Sequence, residues 1–216
     1  MFPTPLLLQV KLPSKVNGLM KLIRPLGQKD VIFIFYDIGG ETYQVDEKIT
    51  QNLPILKQIN TLVFLIYLPA LIQEAQEGDS VTAKLQILLN TVYNAMKNLG
   101  QLKKKNLLIC FTKADLMWEK KDIFGPLAKK INRDIPSAHG LSDYFERLRH
   151  YSDEIGKYVY ERHPVFYNAL TDHFRSVFFT SLSSLGCQPR DDIIPFLAPA
   201  HVWDPVLYIL KLEKLL

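Results

Sequence analysis

Cysteine is scarce: Cys110 and Cys187 are the two in 216 residues. They lie far apart and in unlike settings, which excludes a disulfide framework and suits a reducing compartment. Cys110 sits inside an apolar run and is expected to be a small core residue. The five histidines show no H-x-x-x-H pattern and no Cys/His ligand spacing, so a zinc centre is not expected. Long hydrophobic runs are also missing. The longest, Leu62 to Ile72, contains Pro69 and is too short to cross a bilayer. Met1 to Val10 has neither the basic start nor the cleavage site of a secretory leader. A cytoplasmic protein without a membrane partner is expected. Lys and Arg number 26 against 22 Asp and Glu, a formal charge of +4, too small and too scattered an excess to point to nucleic acid. The densest basic run, Lys103-Lys104-Lys105, has no interleaved aromatics for base stacking and reads as a solvated helix end.

What is present is alternation of strands and helices. Leu6 to Lys11 reads as an edge strand closed by Pro13-Ser14. Val31 to Tyr36, Leu62 to Tyr67, Leu107 to Phe111 and Val177 to Thr180 read as further strands. Their uninterrupted apolarity predicts burial on both faces, as in a sheet covered by helices. Helical spacing appears over Gln44 to Ile59 and again after the Asp79-Ser80 cap, in a helix that Gly100 stops. It returns over Leu141 to Arg162, in a short segment after Pro164, and in the Leu-rich tail from Trp203. The pattern implies an α/β fold with a mostly parallel sheet flanked by helices. It forms a single domain over residues 1–216, with a helical excursion at about 117–175. That excursion is far longer than a usual connection, and its charged face is a candidate surface for protein partners.

In parallel sheets ligands bind beyond the carboxyl ends of the strands, and three polar motifs stand there. Asp37-Ile38-Gly39-Gly40-Glu41 follows the strongest strand. Asp37 can hold Mg²⁺ through water, and a Gly at position 40 lets its backbone N–H approach a phosphate; the same residues also make an ordinary capped Gly turn. Thr112-Lys113-Ala114-Asp115 follows the next-to-last strand. A carboxylate there can accept the paired donors of guanine N1 and N2, with the Lys stem over the purine. Its alternative is a helix N-cap at Asp115. Ser183-Ser184-Leu185-Gly186 follows the last strand, either as a base-contacting loop or simply as a turn.

D-x-x-G, T-K-x-D and S-S-x-G, in this order and each behind a buried strand, make the sequence resemble the GTPase superfamily from about Leu6 onward. Phe35 to Glu41, Leu68-Pro69, Ser183 to Gly186 and the tail Trp203-Asp204-Pro205-Val206-Leu207-Tyr208 look like the double-GTPase domains of prokaryotes. The resemblance implies GTP or GDP with Mg²⁺ as ligand. Asp37 would be the metal-side carboxylate, Gly40 the γ-phosphate sensor, and Glu41 the neighbour of the attacking water. Thr112, Lys113 and Asp115 would read the base, and Ser183 and Ser184, or a register beginning at Ser181, would close over it. The family's G-x-x-x-x-G-K-[ST] phosphate loop occurs nowhere in this sequence. Gly27-Gln28-Lys29 has neither its spacing nor a following Ser or Thr. Either the first strand and its loop were lost from this reading frame, or the chain is a natural degenerate GTPase used as an interaction scaffold. In both cases hydrolysis by the chain alone is not expected.

Overall fold

The structure is a computed structural model that describes residues 6–12, 29–35, 59–67, 105–118, 141–187 and 194–215, with single positions at 90, 94, 97 and 126. The chain divides into two compact units, residues 1–52 and 53–214.

In the first unit, β1 (Leu6–Leu12) and β2 (Lys29–Phe35) pair antiparallel along their full length, Leu6 opposite Phe35 and Leu12 opposite Lys29. Both strands fall where the apolar runs predict them. The strand leading to Asp37 was expected to lie in one parallel sheet with the others. It belongs instead to this two-stranded antiparallel sheet.

The second unit holds a parallel sheet in the order β3-β4-β5, with β3 at Thr61–Tyr67, β4 at Asn106–Thr112 and β5 at Ser176–Ser181. Parallel neighbours need crossovers that cover the sheet faces. One of them contains α1 (Leu141–Arg162) and α2 (Pro164–His173), with a helix α3 (Asp204–Leu212) following β5. Asn90, Asn94 and Lys97, in the other crossover, are helical, as the spacing after Asp79-Ser80 predicts. The expected helix over Gln44 to Ile59 lies almost wholly outside the described residues.

The central strand behaves as uninterrupted apolarity predicts: Leu107, Leu108, Ile109 and Cys110 are fully buried. β3 does not. It is equally apolar, yet Leu62 and Ile66 are buried while Val63, Leu65 and Tyr67 are exposed, Leu65 to 70%. An apolar run specifies a strand but not whether the strand is central, and among the described strands β3 is the outer member of this sheet.

The middle of the predicted excursion is part of the core. α1 presents Tyr144, Phe145 and Leu148 to Leu108, Cys110 and Phe178 of the sheet, with Leu207, Tyr208 and Leu212 of α3 packed alongside. Glu146, Arg147, Arg149, Asp153 and Lys157 face solvent on the opposite side. Further along α1, Gly156 is buried against the sheet, where a Cβ would stand in ordinary contact with the Phe179 ring at 3.4 Å. Lys105 departs from its expected solvated position. It is buried, its ammonium donates to the Ile59 carbonyl ahead of β3, and burial lowers its pKa. The reason is local: Lys105 adjoins β4, so it enters the sheet with that strand.

Two buried polar groups tie the layers together. Asp204, at the start of α3, accepts from Tyr144 Oη of α1 at 2.5 Å, from Thr180 Oγ1 of β5 at 3.3 Å, and from His201 Nδ1 at 3.2 Å. Tyr151 Oη of α1 donates to the Pro126 carbonyl and lies 2.5 Å from Ser181 Oγ at the end of β5. Such satisfaction is what permits polar groups in a packed interior.

Gly186 has φ +72, and a Cβ there would lie 1.6 Å from the Ala198 carbonyl oxygen. Gly186→Ala must therefore displace the strap at Ala198 as well as strain its own backbone, and should cost about 3 kcal/mol in urea unfolding. Burial, and then the Asp204 carboxylate, push the Cys110 thiol up to about 12. The unfolded thiol ionises first as pH rises, so the unfolded state binds fewer protons and stability falls between roughly pH 9 and the folded value. Stability should drop by about 1 kcal/mol from pH 9 to pH 10, and Cys110→Val should flatten that part of the profile.

Candidate functional site

Parallel register brings the strand ends level. Tyr67 is opposite Thr112, and Phe111 is opposite Ser181. Leu182 N–H continues the β4–β5 ladder by donating to the Phe111 carbonyl at 2.8 Å, and Ala114 N–H donates back to the Leu182 carbonyl at 3.2 Å. The segments that follow β4 and β5 are thereby held side by side on one edge of the sheet. The sequence places polar motifs at these same two strand ends.

Thr112 serves the sheet itself. Its Oγ1 donates to the Ile66 carbonyl of β3 at 3.1 Å, locking the two strand ends. Lys113 then turns the chain sharply, with φ 57 and ψ 38. This left-handed conformation costs a side-chain-bearing residue on the order of 1 kcal/mol. It starts a short 3-10 turn over Ala114–Met117. Lys113 is exposed, and its ammonium lies 4.9 Å from the centre of the Tyr67 ring. Tyr67 was singled out only as the end of its strand. The ring-and-cation contact comes from the flush register of β3 and β4, a tertiary fact.

Asp115 is 8% exposed, and among the described residues no hydrogen bond or ion pair engages its carboxylate. The N-cap position belongs to Lys113, with no side-chain cap, so Asp115 is not the capping residue that one reading of the sequence allowed. Among the described residues, Thr61 Oγ1 is the one buried side-chain polar atom without a hydrogen-bond partner, so the Asp115 oxygens keep access to solvent and to an external pair of donors.

The loop after β5 is tightly built. Ser183 N–H donates to the Ala200 carbonyl at 3.0 Å, and Ala200 N–H returns to the Ser183 carbonyl at 2.9 Å. Ser183 Oγ accepts from Gly186 N–H at 2.8 Å, closing the turn. Ser184 is exposed. Ser181, the alternative start of this motif, is buried with its hydroxyl against Tyr151. His201 and Asp204, spaced i and i+3, buttress the loop from below through the adjacent Ala200. The Leu-rich tail from Trp203 forms the helix that its pattern predicts; the part that Asp204 plays in it depends on Tyr144 and Thr180 arriving from distant segments.

Asp37, Gly40 and Glu41 lie outside the described residues, so the edge assembled here comprises Thr112, Lys113, Asp115 and the Ser183-Ser184 loop.

Because no described residue pairs with the Asp115 carboxylate, Asp115→Asn should leave the thermal midpoint of the ligand-free protein nearly unchanged. Thermal unfolding followed by circular dichroism checks this outcome. No family model matches the chain, and neither a curated protein nor a solved structure does.

Proposed function

We propose that this chain is a GTPase-like domain that recognises a guanine base at the carboxyl edge formed by β4 and β5, and that it does not turn nucleotide over by itself. The observation that carries this reading is the Asp115 carboxylate at the strand end, which no described residue engages, two positions after the left-handed Lys113. Guanine offers N1–H and N2–H₂ as adjacent donors, and a fixed carboxylate accepts both. Adenine has no such pair, so the carboxylate would remain desolvated and unpaired against it. The exposed Lys113 stem, at the rim beside Tyr67, supplies apolar surface for one face of the purine. The backbone of the Ser184-Leu185 turn lies across from it and suits the O6 side of the base.

The phosphate end is different. Asp37 would be the metal-side carboxylate for Mg²⁺, with Gly40 and Glu41 beside the terminal phosphate, but the sequence offers no G-x-x-x-x-G-K-[ST] cradle to stabilise charge on the phosphates. Base recognition without that cradle gives weak affinity and no appreciable chemistry. The protein is read as acting in the cytoplasm. Among the described residues no helix is long and apolar enough to cross a membrane.

A second reading, a non-catalytic scaffold that keeps the fold, is favoured by the exposed charged face of α1 at Glu146, Arg147, Arg149, Asp153 and Lys157. Titration with GDP and ADP in Mg²⁺ distinguishes the two. Recognition predicts weak GDP binding, in the range of about 0.1–1 mM, preferred over ADP by about ten-fold or more. Asp115→Ala should abolish the preference. Absence of GDP binding, or a preference untouched by Asp115→Ala, leaves the scaffold reading. GTP hydrolysis that Asp37→Ala removes would overturn the claim of inactivity.

A further inference from the structure

A second cavity lies away from the carboxyl edge, on the crossover helices whose role the base site leaves open. It has a volume of about 480 Å³ and sits between α1, α2 and the amino end of β5. We infer that it is a binding site for a small planar aromatic acid, the ring packing on Tyr160 and Tyr167 and the anion meeting Lys157 and Arg175.

The aromatic wall is continuous. Tyr167 of α2 stacks on Phe179 of β5 with centroids 6.0 Å apart and planes 12° apart, and Tyr160 of α1 meets Tyr167 edge-on at 5.5 Å. Phe179 is buried, but Tyr160 at the end of the series is half exposed, which leaves apolar ring surface open to the cavity. Gly156 lies against this wall: a Cβ there would be in ordinary contact with the Phe179 and Tyr167 rings, at 3.4 and 3.5 Å. Aromatic rings present negative faces and positive edges, so an added planar ring gains offset or edge contacts of about 1 kcal/mol beyond its burial.

The charges favour an anion. Arg175 is exposed and has no acidic partner among the described residues. Lys157 has Glu161 at 4.0 Å, with both side chains largely in solvent, a pairing that contributes little and yields readily to a better one. The one acid in the lining, Asp153, is exposed, so solvent screens its charge, and Lys157 and Arg175 outnumber it. Two cations thus stand at the mouth and three rings behind them, in a volume that holds a bicyclic ring system.

Titration with 2-naphthoate tests the site, with 2-naphthamide and cyclohexanecarboxylate as the neutral and non-aromatic comparisons. Expected are saturable naphthoate binding with a Kd of about 1 mM or tighter and about ten-fold weaker binding of either comparison compound. Lys157→Met and Arg175→Met should each weaken naphthoate several-fold, as should Tyr160→Ala. All three positions are exposed, so urea midpoints should stay at the parent value and show that folding is intact. Excess GDP should leave naphthoate binding unchanged, so the result is independent of the base site. Equal binding of naphthamide, absence of saturation, displacement by GDP, or variants that bind as the parent does would each overturn the inference.

Discussion

A carboxylate taken out of water must be paired, and in this protein that requirement organises the C-terminal half of the chain. Asp204 is 1% exposed and receives hydrogen bonds from α1, from β5 and from the His201 turn. Removing a single donor would leave a buried charge undercompensated, a cost larger than the value of the bond itself. The helix α3 therefore has one seating on the sheet in which all the polar groups are satisfied. That seating carries Ala200 to Ser183 and so sets the position of the loop beside β4. The last polar loop of the sheet edge is held by a residue that is itself inaccessible to any ligand.

The edge shows a division between residues that build and residues left over. Thr112 spends its hydroxyl on β3, and Ser183 spends both its N–H and its hydroxyl on closing and anchoring its own turn. Lys113 and Asp115 are not used in this way. One holds a strained backbone conformation and the other a carboxylate that no described residue engages. A strained backbone and a charged group that the fold does not use are where ligand recognition is expected to reside. By the same argument Tyr160, an aromatic left half exposed beside two cations, stands apart from the well-used rings Tyr167 and Phe179 behind it.

The long connection between β4 and β5 has two roles in the fold. Its apolar positions Tyr144, Phe145 and Leu148 form one wall of the core, so it is not an appendage. Its outward face carries charges of both signs, and its junction with α2 encloses the aromatic cavity. A crossover helix has to cover the sheet, and the length beyond that need leaves surface available for other uses.

The sequence by itself determined the local elements. Leu141–Arg162, Pro164–His173 and the strands of the parallel sheet lie where periodicity and Pro boundaries place them, because these signals act within a few residues along the chain. It also placed polar motifs at the strand ends, since strand ends follow from the strands. Only the tertiary structure decided that β3 is outermost among the described strands of its sheet with Leu65 exposed, that β2 pairs antiparallel with β1, and that Lys105 is buried. Strand neighbours are chosen by contacts far apart in sequence, and an apolar run reads the same at the centre of a sheet as at its edge. For the same reason the roles of Tyr67 beneath Lys113 and of Asp204 between Tyr144 and Thr180 could not be read in advance: each depends on a register or a packing angle that no local pattern encodes.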